Sequence, residues 1–114
     1  MARTSYKYPA YKVAEADLQN LIRSQLQLSG YAVFRCNVGS VKTDDGRWFS
    51  TGLPKGFSDL MAVKNGRIYF IEVKVKPNKP TPEQVEFIES MRDMGCGAGI
   101  AYSLEDAENI VEAV

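Results

Sequence analysis

Gly56–Lys76, GFSDLMAVKNGRIYFIEVKVK, decides the fold. It contains two runs of apolar and β-branched residues separated by Asn65-Gly66. That dipeptide is a strong short-range hairpin signal, because both central positions of a type I′ turn require φ > 0. A two-residue loop there fixes the register. Lys64 faces Arg67, Val63 faces Ile68, Ala62 Tyr69, Met61 Phe70 and Leu60 Ile71, and Asp59 then falls opposite Glu72. Directly opposed residues in an antiparallel pair hold their Cβ atoms about 4.5–5.5 Å apart, so two carboxylates placed this way repel unless a cation lies between them. Lys74, two residues beyond Glu72, projects from the same face of the strand. On the second strand Tyr69, Ile71, Val73 and Val75 make one apolar face, while Ile68 and Phe70 lead into Glu72 and Lys74 on the other. An Asp, a Glu and a Lys thus converge at one end of an otherwise apolar hairpin. The arrangement reads as a metal site with a basic residue beside it.

Outward from this hairpin, the N-terminal side offers a helix over about Val13–Ser29, with Leu18, Leu21, Ile22 and Leu28 at helical spacings and Gly30 just past its end. Residues 1–12 are read as an irregular arm. Glu15 shares the stripe of Leu18 and Ile22. A buried acid is costly unless paired or metal-bound, so it is either a site residue or an acid placed in the first turn to complement the helix dipole. Tyr31–Asn37 alternates as a strand. Gly39–Lys55 is polar and glycine-punctuated, with Asp45-Gly46 suggesting a smaller hairpin that displays Arg47 and Trp48. Trp48 either stacks on a base or plugs the core.

On the C-terminal side, Pro77–Pro80 ends the strand. Thr81-Pro82-Glu83-Gln84 has the form of an N-cap, a proline at the first helical position and a capping-box glutamine. The helix is expected to run to about Met94, with Val85, Ile88 and Met91 inward. A short strand at Gly97–Tyr102 and a last amphipathic helix at Leu104–Val114 complete an α-β-β-β-α-β-α order. That is an α/β domain with a mixed central sheet flanked by helices, and 114 residues suffice for one domain with one modest core.

Composition narrows the chemistry. There is no histidine, which excludes Ser-His-Asp and Cys-His catalysis, histidine-ligated zinc and a histidine general base. Carboxylates, lysine and a hard metal ion remain. Cys36 and Cys96 have no motif partners and read as reduced, buried thiols of a cytoplasmic protein. No apolar run is long enough for a membrane helix, and the N-terminus lacks a signal-peptide core. Charge is unevenly spread: residues 35–79 carry nine basic and four acidic side chains, residues 80–114 one and eight. A polyanion would be drawn to the middle third and repelled by the last. Oxygen ligands from Asp59 and Glu72, with the backbone carbonyl of Val73 as a third, suit Mg²⁺. Lys74 beside them would orient or deprotonate a water, or stabilise developing charge.

Ser58-Asp59 followed by Ile71-Glu72-Val73-Lys74 resembles the D…(D/E)-x-K motif of the PD-(D/E)XK nucleases. The chain from about residue 12 to 112 is similar to their VRR-NUC (virus-type replication–repair nuclease) branch. The matching positions are Glu15, Arg35 and Asn37 with Gly39, Gly56-Phe57-Ser58-Asp59, Ile71 to Lys74, and Thr81-Pro82-Glu83-Gln84. The resemblance implies a restriction-endonuclease-like fold and Mg²⁺-dependent phosphodiester hydrolysis, with Mn²⁺ as a substitute. It implies metal at Asp59, Glu72 and Glu15, catalysis by Lys74, and auxiliary roles for Glu15 and Gln84. DNA would lie along Arg35, Asn37, Lys42, Arg47, Trp48, Lys55, Lys76 and Lys79, with no organic cofactor and no membrane. Proline stands at Pro54 here, where the superfamily often has one nearer the Asp. Stand-alone domains of this type resemble Holliday-junction resolvases acting as homodimers in bacterial or phage-infected cells. A structure-selective DNA endonuclease of replication, repair or recombination is therefore the expected function. Other readings are a nuclease on nicked, flapped or linear DNA, a silent nucleic-acid-binding module, and a subunit of a larger assembly. No residue separates DNA from RNA as substrate.

Overall fold

The computed structural model describes residues 10–36 and 38–112. Their order is α1 (Ala10–Leu28), β1 (Ala32–Arg35), β2 (Ser40–Lys42), β3 (Trp48–Ser50), β4 (Leu60–Lys64), β5 (Arg67–Val73), α2 (Pro82–Asp93), β6 (Gly97–Ala101) and α3 (Leu104–Glu112). β1, β4, β5 and β6 form one mixed sheet in that spatial order, and β2 and β3 form a separate two-stranded sheet.

The central hairpin has the register that the sequence dictates, from Lys64↔Arg67 through Leu60↔Ile71. Asn65 takes φ +53° and Gly66 φ +77°, the left-handed pair that a type I′ turn needs. β6 runs parallel to β5, Val73 facing Ala101. Parallel neighbours need a crossover, and α2 supplies it.

Alternation along β5 divides the core in two. Tyr69, Ile71 and Val73 point to one face, where Ile22 and Leu26 of α1 and Ala107 and Val111 of α3 complete a buried cluster with Leu60, Ala62 and Ala101. Phe70 points to the other face and packs with Ile88 and Ala98, bordered by Phe57, Phe87 and Met91. Glu72 lies on this second face, one pleat beyond Phe70, and is nearly fully buried. The sheet is therefore covered on both sides, and its acidic pair, Asp59 and Glu72, lies where α2 begins.

Several boundaries and faces differ from the sequence reading. α1 begins at Ala10 rather than Val13, so residues 10–12 belong to the helix; residues 1–9 lie outside the described residues, as does Asn37. Leu21 and Leu28 are exposed. α1 packs through the narrower stripe of Leu18, Ile22 and Leu26, and Leu21 and Leu28 fall beside it. Val85 is likewise exposed, because α2 rests on the sheet through Ile88. The small hairpin adds two strands to the expected order. Val75 lies past the end of β5, and β6 stops at Ala101. The cysteines are free but only half-buried.

Candidate active site

The hairpin register sets the site. Asp59 immediately precedes β4 and Glu72 is the penultimate residue of β5, so both lie at the end of the sheet opposite the Asn65-Gly66 turn. Their link is reciprocal. Val73 N–H donates to Asp59 Oδ2 at 2.9 Å, and Asp59 N–H donates to Glu72 Oε1 at 3.2 Å. Each carboxylate is held by the backbone of the opposite strand, which satisfies one lone pair of each and fixes both side chains toward one another.

Glu72 is further clamped. Gln84 Nε2 donates to its Oε2 at 2.8 Å, and Lys74 Nζ lies 3.7 Å from the same oxygen. Gln84 also closes the capping box of α2: its Oε1 accepts from Thr81 N–H at 2.9 Å, while Thr81 Oγ1 accepts from Gln84 N–H at 3.2 Å. One side chain thus caps a helix and holds a carboxylate, so the capping role and the site role coexist at Gln84. The Thr-Pro-x-Gln spacing places the first turn of α2 against the end of β5.

The loop into Asp59 is seated on that same turn. Gly56 has φ +95°, and a Cβ there would stand 2.6 Å from the carbonyl oxygen of Glu83. Only glycine permits this approach. Lys55 next to it makes an exposed ion pair with Glu83 at 3.6 Å. Ser58 is fully buried and donates its hydroxyl to the Leu60 carbonyl at 3.0 Å, fixing the turn from which Asp59 emerges.

Electrostatics follow from burial and proximity. Desolvation, then the charge of Asp59, pushes the Glu72 carboxyl up to about 8, against the pull of Lys74. Burial also raises Asp59, opposed by the Val73 amide, Glu72, Lys74 and Arg35. Two carboxyls in one place resist ionising together, and a cation is what would let both do so. Among the described residues, no group of three or more His, Cys, Asp or Glu side chains gathers at metal-binding range. The oxygens of Asp59 and Glu72 fit a hard divalent ion that completes its shell with water and substrate oxygens.

Glu15 is half-buried on α1. With the helix starting at Ala10 it sits in the second turn, away from the first-turn amides that a dipole role needs. Arg35, Lys42, Lys76 and Lys79 are exposed. Arg35 ends β1 on the Asp59 side, where its charge acts on the Asp59 carboxyl; Lys76 and Lys79 follow β5. Arg47 is bound to Asp45 at 3.0 Å. Trp48 is 71% exposed, so it does not plug the core. Gly56 is the position whose part in the site the sequence reading did not assign; its place one residue before the Phe57-Ser58-Asp59 turn was the available signal.

No family model matches the chain, and no curated protein does. Among solved structures, one described as a "VRR_NUC domain" is similar to it, with 24% sequence identity and a TM-score of 0.61, over 87% of this chain and 95% of that one. The chain has the fold of a VRR_NUC domain.

Proposed function

We propose that the protein is a metal-dependent DNA endonuclease that hydrolyses phosphodiester bonds. The observation that carries this reading is the mutual clamping of Asp59 and Glu72 at one sheet end, with Lys74 Nζ 3.7 Å from Glu72. The fold shared with a VRR_NUC domain supports it. Asp59 and Glu72, with the Val73 carbonyl, are the proposed ligands for Mg²⁺ or Mn²⁺; Glu15 is left out, because among the described residues it forms no metal-binding group with them. When bound, such an ion supplies Lewis acidity at a phosphoryl oxygen and lowers the pKa of a coordinated water.

The chain's own residues do the rest. Gln84 holds Glu72 in a single orientation. Lys74, only 13% exposed at its side chain, presents a desolvated ammonium beside the carboxylates. There it orients the attacking water and stabilises charge on the phosphoryl oxygens. Arg35, Lys42, Lys55, Lys76 and Lys79 steer the polyanion toward this end of the sheet, and Arg47 and Trp48 meet it on the small hairpin. Branched DNA is the proposed substrate, cut by a homodimer whose two sites act on two strands. No helix among the described residues is long and apolar enough to cross a membrane.

The test is cleavage of a labelled four-way junction and of its linear duplex arms with Mg²⁺, Mn²⁺ or EDTA, with Glu72→Ala as control. Metal-dependent cutting that disappears in Glu72→Ala supports the reading, and selective cutting of the junction supports the resolvase form. A folded protein that cuts neither substrate overturns the enzyme assignment.

A further inference from the structure

The β2–β3 hairpin stands apart from the main sheet and exposes aromatic side chains on both of its faces. Its two strands pair only with one another, and an isolated two-stranded hairpin is marginal in water. This one is braced at both ends by polar contacts. At the neck, the amide and hydroxyl of Thr51 both donate to the Gly39 carbonyl, at 2.9 and 3.0 Å. At the tip, Thr43 N–H donates to the Arg47 carbonyl at 2.7 Å and Gly46 N–H to the Thr43 carbonyl at 2.9 Å, while the Asp45 carboxylate holds the Arg47 guanidinium at 3.0 Å.

What this bracing presents is apolar. Trp48 is 71% exposed and Phe49 59%. As consecutive strand residues they point to opposite faces. Lys42 is the cross-strand partner of Trp48, which sets an exposed cation beside the indole. The root of the projection is fixed too. Cys36 N–H donates to the Asp59 carbonyl at 2.8 Å, so the chain leaves the main sheet and returns to it at the residue that opens the candidate site. Gly39 is three residues past Cys36, a reach of about 11 Å at most. Along a duplex axis each strand carries a phosphate about every 3.4 Å, so the root of the projection stands within a few nucleotides of any phosphate at Asp59.

We infer that this hairpin is a wedge that inserts Trp48 and Phe49 between unstacked bases of the nucleic acid held at the Asp59–Glu72 site, and that it selects nucleic acid with an opened base step over continuous duplex. The inference rests on the nuclease reading for its ligand. Aromatic side chains stack on bases without regard to sequence, and an apolar wedge that enters a stacked base step must overcome a few kcal/mol of unstacking, a cost that an opened step does not carry. Lys42 sets a cation beside the indole, while Arg47 is already paired with Asp45, so the hairpin's hold on nucleic acid rests on stacking. A plain duplex must be unstacked before it admits an aromatic pair, whereas a junction centre or a single-strand boundary is already open.

Trp48 is the only tryptophan in the chain, so its fluorescence reports on the wedge alone. The experiment adds a branched DNA, or a blunt duplex of equal length, to the wild-type protein in EDTA. It follows anisotropy of the labelled DNA for binding and tryptophan emission for stacking. Trp48→Ala, Trp48→Phe and Phe49→Ala are compared with wild type. The expected result is quenching by branched DNA that exceeds quenching by duplex at equal occupancy. Trp48→Ala should lower the branched-to-duplex affinity ratio about tenfold, Phe49→Ala less, and Trp48→Phe should restore most of it. Binding by anisotropy without quenching overturns the wedge, as does an equal loss on both DNAs in Trp48→Ala. Quenching with preserved selectivity in a protein that cuts no DNA in Mg²⁺ sustains the wedge while removing the nuclease reading. Absence of binding to either DNA overturns the wedge, and cleavage in Mg²⁺ then decides the nuclease reading separately.

Discussion

Glu72 is the residue on which the electrostatics turn. Its carboxyl is buried, faces Asp59 and is pushed up to about 8. A carboxyl whose pKa is higher folded than unfolded binds its proton more tightly in the native state. Its contribution to stability is greatest below the ordinary glutamate pKa of about 4.3 and falls as pH rises toward 8. Thermal melts in EDTA should therefore show stability declining over that window, and Glu72→Gln should flatten the decline. At pH 8 the variant is expected to melt about 5 °C above wild type, the shift that about 1 kcal/mol makes in a domain near this size. A variant that melts with the same pH profile as wild type would show that Glu72 is not held against its charge. Lys74→Ala removes the one cation within ion-pair range of Glu72 among the described residues. It should leave the fold intact and lower cleavage by at least a hundredfold, the scale of positioned charge stabilisation; single-turnover assays at matched metal would read it.

At the scale of elements, the first turn of α2 links helix stability to site geometry. Thr81→Ala removes the hydroxyl that accepts from Gln84 N–H. An N-cap loss costs about 1 kcal/mol, read as a lower denaturant midpoint with an unchanged slope. Gly56→Ala should be worse. It combines a left-handed φ of +95° with a contact of 2.6 Å to backbone that cannot rotate away. The expected loss is about 2 kcal/mol, within the range of strain and overpacking effects, with the turn of α2 that carries Gln84 displaced. A Gly56→Ala protein as stable as wild type would show that the loop does not rest on α2.

For the molecule as a whole, the sheet has a polar end and a turn end, and the charges sort between them. Lys64 and Arg67 flank the Asn65-Gly66 turn, and Lys64 donates to the Ser29 carbonyl at 2.8 Å, away from the site. Arg35, Lys74, Lys76 and Lys79 follow the strand ends that carry Asp59 and Glu72. DNA affinity should accordingly fall steeply with salt. A Lys76→Ala, Lys79→Ala double variant should reduce the slope of log K against log salt by about 2, one for each lost phosphate contact, while Lys64→Ala leaves it unchanged. Equal slopes in all three proteins would place the nucleic acid elsewhere.

Much of this was determined by local sequence. Asn65-Gly66 fixed the turn, the period-2 pattern fixed the register, and together they put Asp59 across from Glu72 before any packing was considered. Thr81-Pro82-Glu83-Gln84 announced a helix start for the same local reason, since capping is satisfied within one turn. Only tertiary structure decided what depends on which surfaces meet. The apolar periodicity of α1 could not separate Ile22 from Leu21, because two adjacent stripes were equally apolar and one sheet face could cover only one of them. Trp48 could have served as core or surface by its chemistry, and it is exposed because its hairpin stands apart from the main sheet. The second role of Gln84 needed α2 laid against the end of β5, and the need for Gly56 came from a backbone approach between segments 27 residues apart. Side-chain pattern specifies register and caps through neighbours in the chain; contacts between distant segments are set by how the whole core closes.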